Sequence, residues 1–180
     1  MKNPWKTLDT KTTYENPWIK VTHRNVINPS GNPGIYGVVH FKNKAIAIVP
    51  LDEQNNTWLV GQYRYTLNAY SWEVPEGGGP LNETPIIAAK RELLEETGIV
   101  ANKWEEIGTL HLSNSVSDEE AVIFVARDLT IGTPQPEDTE DLKIKKLPFS
   151  EAVEMVMKGE ITDALAVAAI LKVNFLIANY

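Results

Sequence analysis

The stretch from Gly77 to Ile99 constrains the fold more than any other part of the chain. It runs Gly77-Gly78-Gly79-Pro80-Leu81-Asn82-Glu83, then Thr84 to Lys90, then Arg91-Glu92-Leu93-Leu94-Glu95-Glu96-Thr97-Gly98-Ile99. Thr84 ahead of Pro85 is a helix start, an N-cap residue followed by proline at the first helical position. Gly98 is a left-handed stop directly after Thr97. At about 100° per residue, Glu92, Glu95 and Glu96 fall in one sector of the predicted helix, with Glu92 and Glu96 roughly 5–6 Å apart at Cβ. Like charges so spaced cost a bare helix a few tenths of a kcal/mol, roughly. A hard divalent cation offsets that cost, because Mg²⁺ accepts carboxylates together with water and substrate phosphates. The competing reading is an ordinary solvated acidic face, which an Arg91–Glu95 i,i+4 pair would support. On composition alone the solvated face is the commoner explanation.

Around this helix the pattern is strand-rich first and helical last. Trp18 to Asn28 and Ile35 to Phe41 read as strands joined by the turn-rich run Pro29-Ser30-Gly31-Asn32-Pro33-Gly34, a hairpin. Ala45 to Leu51 and Thr57 to Tyr65 read as buried strands, and Trp104 to Leu112, Ala121 to Ala126 and Leu142 to Leu147 as further ones. Two helices, Phe149 to Lys158 and Thr162 to Ile177, close the chain. The expected class is α+β with a mixed sheet. A soft boundary near Lys42 divides an N-terminal hairpin region, 1–42, from a main domain, 43–180. The acidic run at 137–141 reads as a solvated loop.

With its spacing written out, the Gly77–Ile99 segment resembles the Nudix box: Gly, five residues, Glu, seven residues, Arg-Glu, an aliphatic residue, any residue, Glu-Glu, any residue, Gly and an aliphatic residue. Gly77, Glu83, Arg91, Glu92, Leu93, Glu95, Glu96, Gly98 and Ile99 fill every fixed position. The resemblance implies a Nudix-type α/β/α sandwich and a loop–helix–loop that binds divalent cations, Mg²⁺ or alternatively Mn²⁺. It implies hydrolysis of a nucleoside diphosphate linked to another group. By carry-over, Glu92, Glu95 and Glu96 are metal-binding carboxylates, Glu83 is an accessory ligand or a brace, and Arg91 orients a neighbouring Glu.

Outside the box the chain is similar to the ADP-ribose pyrophosphatase branch. Gln62-Tyr63-Arg64-Tyr65 resembles the strand ahead of the box, where the Arg contacts the diphosphate. Its plain alternative is a surface ion pair. Trp72-Glu73-Val74-Pro75-Glu76-Gly77 follows the branch pattern with Glu76 in place of the usual Ala, and the resemblance makes the backbone carbonyl of Glu76 a metal ligand. Trp18 and Tyr36 stand where hairpin aromatics stack on the adenine, often across a swapped homodimer; the alternative is that both rings only pack the hairpin. In the loop Leu112 to Glu120, Ser113-Asn114-Ser115 replaces the branch's Ser-Pro-Gly, which changes the preferred turn. Glu119 best matches the proposed general base, with Glu120 as alternative.

The formal charge of −7 argues against a duplex-DNA binder. An anionic substrate on an acidic chain would meet bound metal and Arg64 rather than bare carboxylates. No cysteine occurs, which excludes disulfide scaffolds and thiolate chemistry. There is no Gly-x-Ser-x-Gly elbow and no Walker-type loop. His23, His40 and His111 show no ligand spacing and read as strand residues. Met1 to Lys6 is followed by no apolar run, and Ala164 to Tyr180 is too short and too interrupted to cross a bilayer. The expectation is a cytoplasmic enzyme without membrane or nucleic-acid partners. It cleaves ADP-ribose or a related nucleoside diphosphate sugar to a nucleoside monophosphate and a sugar phosphate. The alternatives are another Nudix substrate, a dinucleotide or damaged nucleoside triphosphate, or a non-catalytic nucleotide-binding domain.

Overall fold

The computed structural model describes residues 1–134 and 141–179. Its elements in chain order are β1 (Lys6–Glu15), β2 (Ile19–Ile27), β3 (Pro33–Phe41), β4 (Asn43–Pro50), β5 (Asn56–Arg64), β6 (Ala69–Glu73), β7 (Glu76–Pro80), α1 (Pro85–Thr97), β8 (Ile99–His111), β9 (Glu120–Ile131), β10 (Lys143–Pro148), α2 (Phe149–Met157) and α3 (Ala164–Asn179). Residues 137–140 of the acidic run lie outside the described residues.

Period-two alternation along two buried strands sets the layering. On β4, Ala47, Val49 and the following Leu51 face one core while Ile46 and Ile48 face another; on β9, Ala121, Ile123 and Val125 oppose Val122, Phe124 and Ala126 in the same way. The two strands run parallel, with Ala47 beside Ile123. Antiparallel neighbours flank them in the order β7-β4-β9-β8, so the sheet is mixed. One face is covered by α1 through Ala88, Ala89 and Leu93. The other is covered by α2 and α3 through Phe149, Ala152, Leu165, Ala169 and Ile170. A second sheet, β10-β5-β6, splits its residues the same way, Leu59 into one core and Trp58 into the other. This is the α/β/α sandwich that the resemblance implies.

Two expectations change. The N-terminal region is a three-stranded antiparallel sheet, β1-β2-β3, rather than a hairpin alone. All ten residues of β1 are exposed, so the strand buries neither face and carries no hydrophobic alternation to read. The glycine run also forms a strand: β7 pairs with β4, Gly77 opposite Ile46 and Gly78 opposite Ala45. Glycine is disfavoured in strands unless something approaches closely. Here α1 does, because a Cβ on Gly77 would fall on the Glu92 carboxylate.

Helix α1 has the expected bounds. Thr84 is extended (φ −73°, ψ 137°) but its hydroxyl makes no cap hydrogen bond, so proline at the next position carries the start. Gly98 is left-handed (φ 71°) and its N–H donates to Leu94 O at 2.8 Å. A Cβ there would sit 2.6 Å from the Thr133 carbonyl carbon. Gly98→Ala is therefore expected to lose about 2–4 kcal/mol, the left-handed penalty plus a clash with backbone that cannot yield. Urea denaturation checks it: the midpoint falls at unchanged slope. Among the described residues no helix is long and apolar enough to cross a membrane.

Candidate active site

The C-terminal half of α1 and the strand β7 it packs on place Glu92 and Glu95 at the wall of a cleft, with Glu96 behind them on the same helix. Glu92 is 8% exposed and Glu96 2%, unusual for charged side chains and tolerable only with partners. Arg91 supplies part of that support. Its Nη1 donates to Glu92 Oε1 at 2.8 Å and to Glu95 Oε2 at 3.0 Å, and its Nη2 donates to the Gly78 carbonyl at 2.9 Å. One guanidinium thus sets two glutamates and ties the helix to β7. Glu83 approaches the same guanidinium at 3.8 Å. Glu96 accepts the Glu76 N–H at 3.0 Å, which fixes the peptide at the start of β7.

The cleft has two adjoining lobes, of about 320 and 520 Å³, that share Trp18, Asn43, Gly77 and Gly78 as lining. Arg91, Glu83, Glu92 and Glu95 line one lobe. Arg64, Lys44, Glu76 and Glu119 line the other. Glu92 and Glu95 share Arg91 and Glu96 holds the Glu76 N–H, and carboxylates are the hard oxygen donors that suit a divalent cation such as Mg²⁺. Among the described residues, however, the acidic group whose oxygens converge is a different one, beside Arg64.

Arg64 is held in place. Its Nε reaches both Glu73 oxygens at 2.9 and 3.1 Å, and its Nη2 bonds Glu73 and, at 2.8 Å, Glu76 Oε1. Glu73 is 2% exposed. Carboxylate oxygens of Glu73, Glu76 and Asp163 lie within 4.8 Å of one another. Burial, then the charges of Asp163 and Glu73, push the Glu76 carboxyl well above its ordinary value against the pull of Arg64, and its Oε2 is buried without a hydrogen bond. Sequence reasoning did not single out Glu73 or Asp163. Asp163 had a readable signal, since it caps α3 by accepting the Ala166 N–H at 2.7 Å. Glu73 stood in the Trp72–Gly77 pattern, but its pairing with Arg64 was not readable: in the β5–β6 register Glu73 faces Val60 and Arg64 faces Ala69.

Glu119 and Glu120 diverge. Glu119 lines the cleft half-buried, and burial followed by the nearby Asp163 raises its pKa above the usual carboxylate value. Glu120 is paired with Lys44 Nζ at 2.5 Å, and that hydrogen bond and charge lower its pKa. Trp18 stands at the cleft, 65% exposed. Tyr36 is not among the residues lining either lobe. Its hydroxyl donates to the Ser115 carbonyl at 2.6 Å, and its ring meets Trp5 edge-on at 5.4 Å.

Residues 41–168 match the NUDIX domain family, and residues 5–39 match the nucleoside diphosphate sugar hydrolase N-terminal domain. An ADP-ribose pyrophosphatase of Mycobacterium tuberculosis is 32% identical over 177 residues, 96% of this chain and 84% of that protein. An ADP-ribose pyrophosphatase of Bacillus subtilis is 27% identical over 92% of this chain and 90% of its own. A crystal structure of an ADP compounds hydrolase superposes with a TM-score of 0.87 at 22% identity, covering 97% of this chain and 95% of that one, and speaks to the fold. With the complete box running from β7 through α1 to the start of β8 and the family match over most of its length, this chain belongs to the NUDIX family and is a Nudix hydrolase.

Proposed function

We propose that the protein is a Mg²⁺-dependent pyrophosphohydrolase, with Mn²⁺ as the alternative ion, that cleaves ADP-ribose or a related nucleoside diphosphate sugar. The products are a nucleoside monophosphate and a sugar phosphate. One observation carries the reading: Glu83, Glu92 and Glu95 line one cavity, Arg64, Glu76 and Glu119 line its neighbour, and the two share Trp18, Asn43, Gly77 and Gly78. The names of the relatives from M. tuberculosis and B. subtilis support the substrate class.

When bound, the ion neutralises the diphosphate and lowers the pKa of water; Glu92, Glu95, Glu96 and the Glu76 carbonyl would hold it. Glu119 takes the proton of the attacking water. Arg64 presents a charge already oriented by Glu73 and Glu76 toward the oxygens released as the P–O–P bridge breaks. Trp18 offers a face to the base, adding on the order of 1 kcal/mol beyond burial. Tyr36 is committed to Ser115 and Trp5, so within one chain the stacking reading rests on Trp18.

Residues 1–42 form a unit of their own in this proposal, and homodimerisation uses it. Trp5, Leu8 and Tyr14 are exposed there. Cytoplasmic action without nucleic-acid or membrane partners belongs to the same reading. A second substrate reading has one specific support, the Ser113-Asn114-Ser115 loop in place of Ser-Pro-Gly. A panel of sugar nucleotides, dinucleotides and nucleoside triphosphates, each with and without Mg²⁺, decides between them. The expected result is Mg²⁺-dependent release of AMP from ADP-ribose. A clear preference for a triphosphate overturns the substrate class, and tight ADP-ribose binding without turnover overturns the catalytic reading.

A further inference from the structure

The segment that carries Glu119 holds its shape through the N-terminal sheet. Residues 113–117, Ser-Asn-Ser-Val-Ser, contain neither proline nor glycine, and Ser113 adopts φ 49°, a left-handed conformation that serine enters at a cost. Internal bonds close the turn: the Val116 and Ser117 N–H groups donate to Ser113 O at 2.9 and 3.0 Å, and Leu112 N–H donates to Glu119 O at 3.0 Å. Ser117 adds two more, its Oγ donating to Leu112 O at 2.6 Å and accepting the Glu119 N–H at 3.5 Å. The bonds that tie the loop to another element come from β3. Val39 N–H donates to Val116 O at 2.8 Å, Asp118 N–H donates to Val39 O at 3.2 Å, and Tyr36 donates to Ser115 O.

Asp118, directly before Glu119, makes more bonds to β3 than any other residue of the loop. Its Oδ1 accepts the Phe41 N–H at 3.0 Å and its Oδ2 meets His40 Nδ1 at 2.5 Å. The other ring nitrogen of His40, Nε2, lies 3.1 Å from Arg24 Nη2 and 3.1 Å from Thr22 Oγ1. A guanidinium only donates, so Nε2 must accept, and the proton of the neutral ring is on Nδ1, aimed at Asp118. Arg24 and Thr22 on β2 therefore set the tautomer, and the tautomer sets the direction of the bond. The chain of contacts runs from β2 through His40 to the residue adjoining the candidate base.

We propose that His40 and Asp118 are positioning residues for hydrolysis: they latch the 112–119 loop to β3 and thereby aim the Glu119 carboxylate into the cleft. This inference rests on the reading of Glu119 as general base. A base displaced by about 1 Å loses on the order of a hundredfold in rate, so a latch of this kind acts on kcat.

The test is a double-mutant cycle on the full chain with ADP-ribose and saturating Mg²⁺. His40→Ala and Asp118→Asn are each expected to lower kcat about tenfold or more, with KM within about threefold of wild type. In a Glu119→Gln background the same changes are expected to cost less than about twofold, because the group they aim is gone. His40→Asn, whose amide can donate from the place of Nδ1, is expected to recover most of the rate. Circular dichroism and melting establish that each variant folds; should His40→Ala not fold, Asp118→Asn carries the same cycle. Equal losses in both backgrounds would show a residue that merely holds the fold, and would overturn the latch. Loss in Glu119→Gln with none in His40→Ala or Asp118→Asn overturns the latch alone. Full activity of Glu119→Gln by itself overturns the base reading and this inference with it.

Discussion

Replacing Glu96 with glutamine is expected to lower Mg²⁺-dependent turnover of ADP-ribose by more than about a hundredfold while the fold survives. Exchanges of groups that only support a metal ligand already cost about 10–100-fold, and Glu96 is read as a ligand itself. The side chain is 2% exposed and accepts the Glu76 N–H at 3.0 Å. Glutamine keeps an oxygen in that place, so the hydrogen bond at the start of β7 persists and the substitution separates charge from packing. Buried in a low-dielectric wall, one negative charge changes cation affinity far more than it would on the surface. The checks are initial rates across a Mg²⁺ titration and a thermal melt without metal. A melt close to wild type with the rate lost supports the assignment of Glu96 as a ligand. Activity within a few-fold of wild type at every Mg²⁺ concentration removes it.

What the sequence made readable was local chemistry and buried alternation. Pro85 and Gly98 bound α1 because proline's fixed φ and glycine's left-handed freedom act on the residues next to them. Strands β4 and β9 were readable because each is buried on two faces. Strand β1 was not, since all its side chains are exposed and pairing to β2 is a matter of backbone alone. Strand β7 was hidden by its glycines, whose reason is the close approach of Glu92 to Gly77, Asn43 to Gly78 and Ala88 to Gly79. Helical geometry put the box glutamates in one sector, which alone left a solvated face the commoner explanation; their reading as metal ligands came from the resemblance. The clamp of Glu73 and Glu76 on Arg64, the approach of Asp163 and the commitment of Tyr36 to Ser115 all depend on how separate elements meet. Sequence spacing carries no information about such meetings. The choice between Glu119 and Glu120 was open for the same reason, since Lys44, which claims Glu120, lies on another strand.

That choice yields the second large effect. Glu119→Gln is expected to lower kcat about 10²–10⁴-fold, the range that general-base assistance contributes, and Glu120→Gln is expected to stay within a few-fold of wild type. Glu120 is already paired with Lys44 at 2.5 Å and its pKa is lowered, so it is a weak proton acceptor; Glu119 has the raised pKa and the place in the cleft. The sign of the pH dependence follows. A base works only when deprotonated, so kcat/KM falls as pH drops through the pKa of Glu119. Burial and then Asp163 move that pKa upward, so the acid limb belongs above the usual carboxylate range, about 4.3 for glutamate. Rates measured at saturating Mg²⁺ from acid to neutral pH are expected to show this limb in the wild type and in Glu120→Gln. In Glu119→Gln the limb is expected to vanish from the residual activity. A Glu120→Gln variant that loses both the rate and the limb, with Glu119→Gln retaining them, reverses the assignment. It would require Lys44 to release Glu120 when substrate enters, because a carboxylate held by an ammonium group accepts a proton poorly.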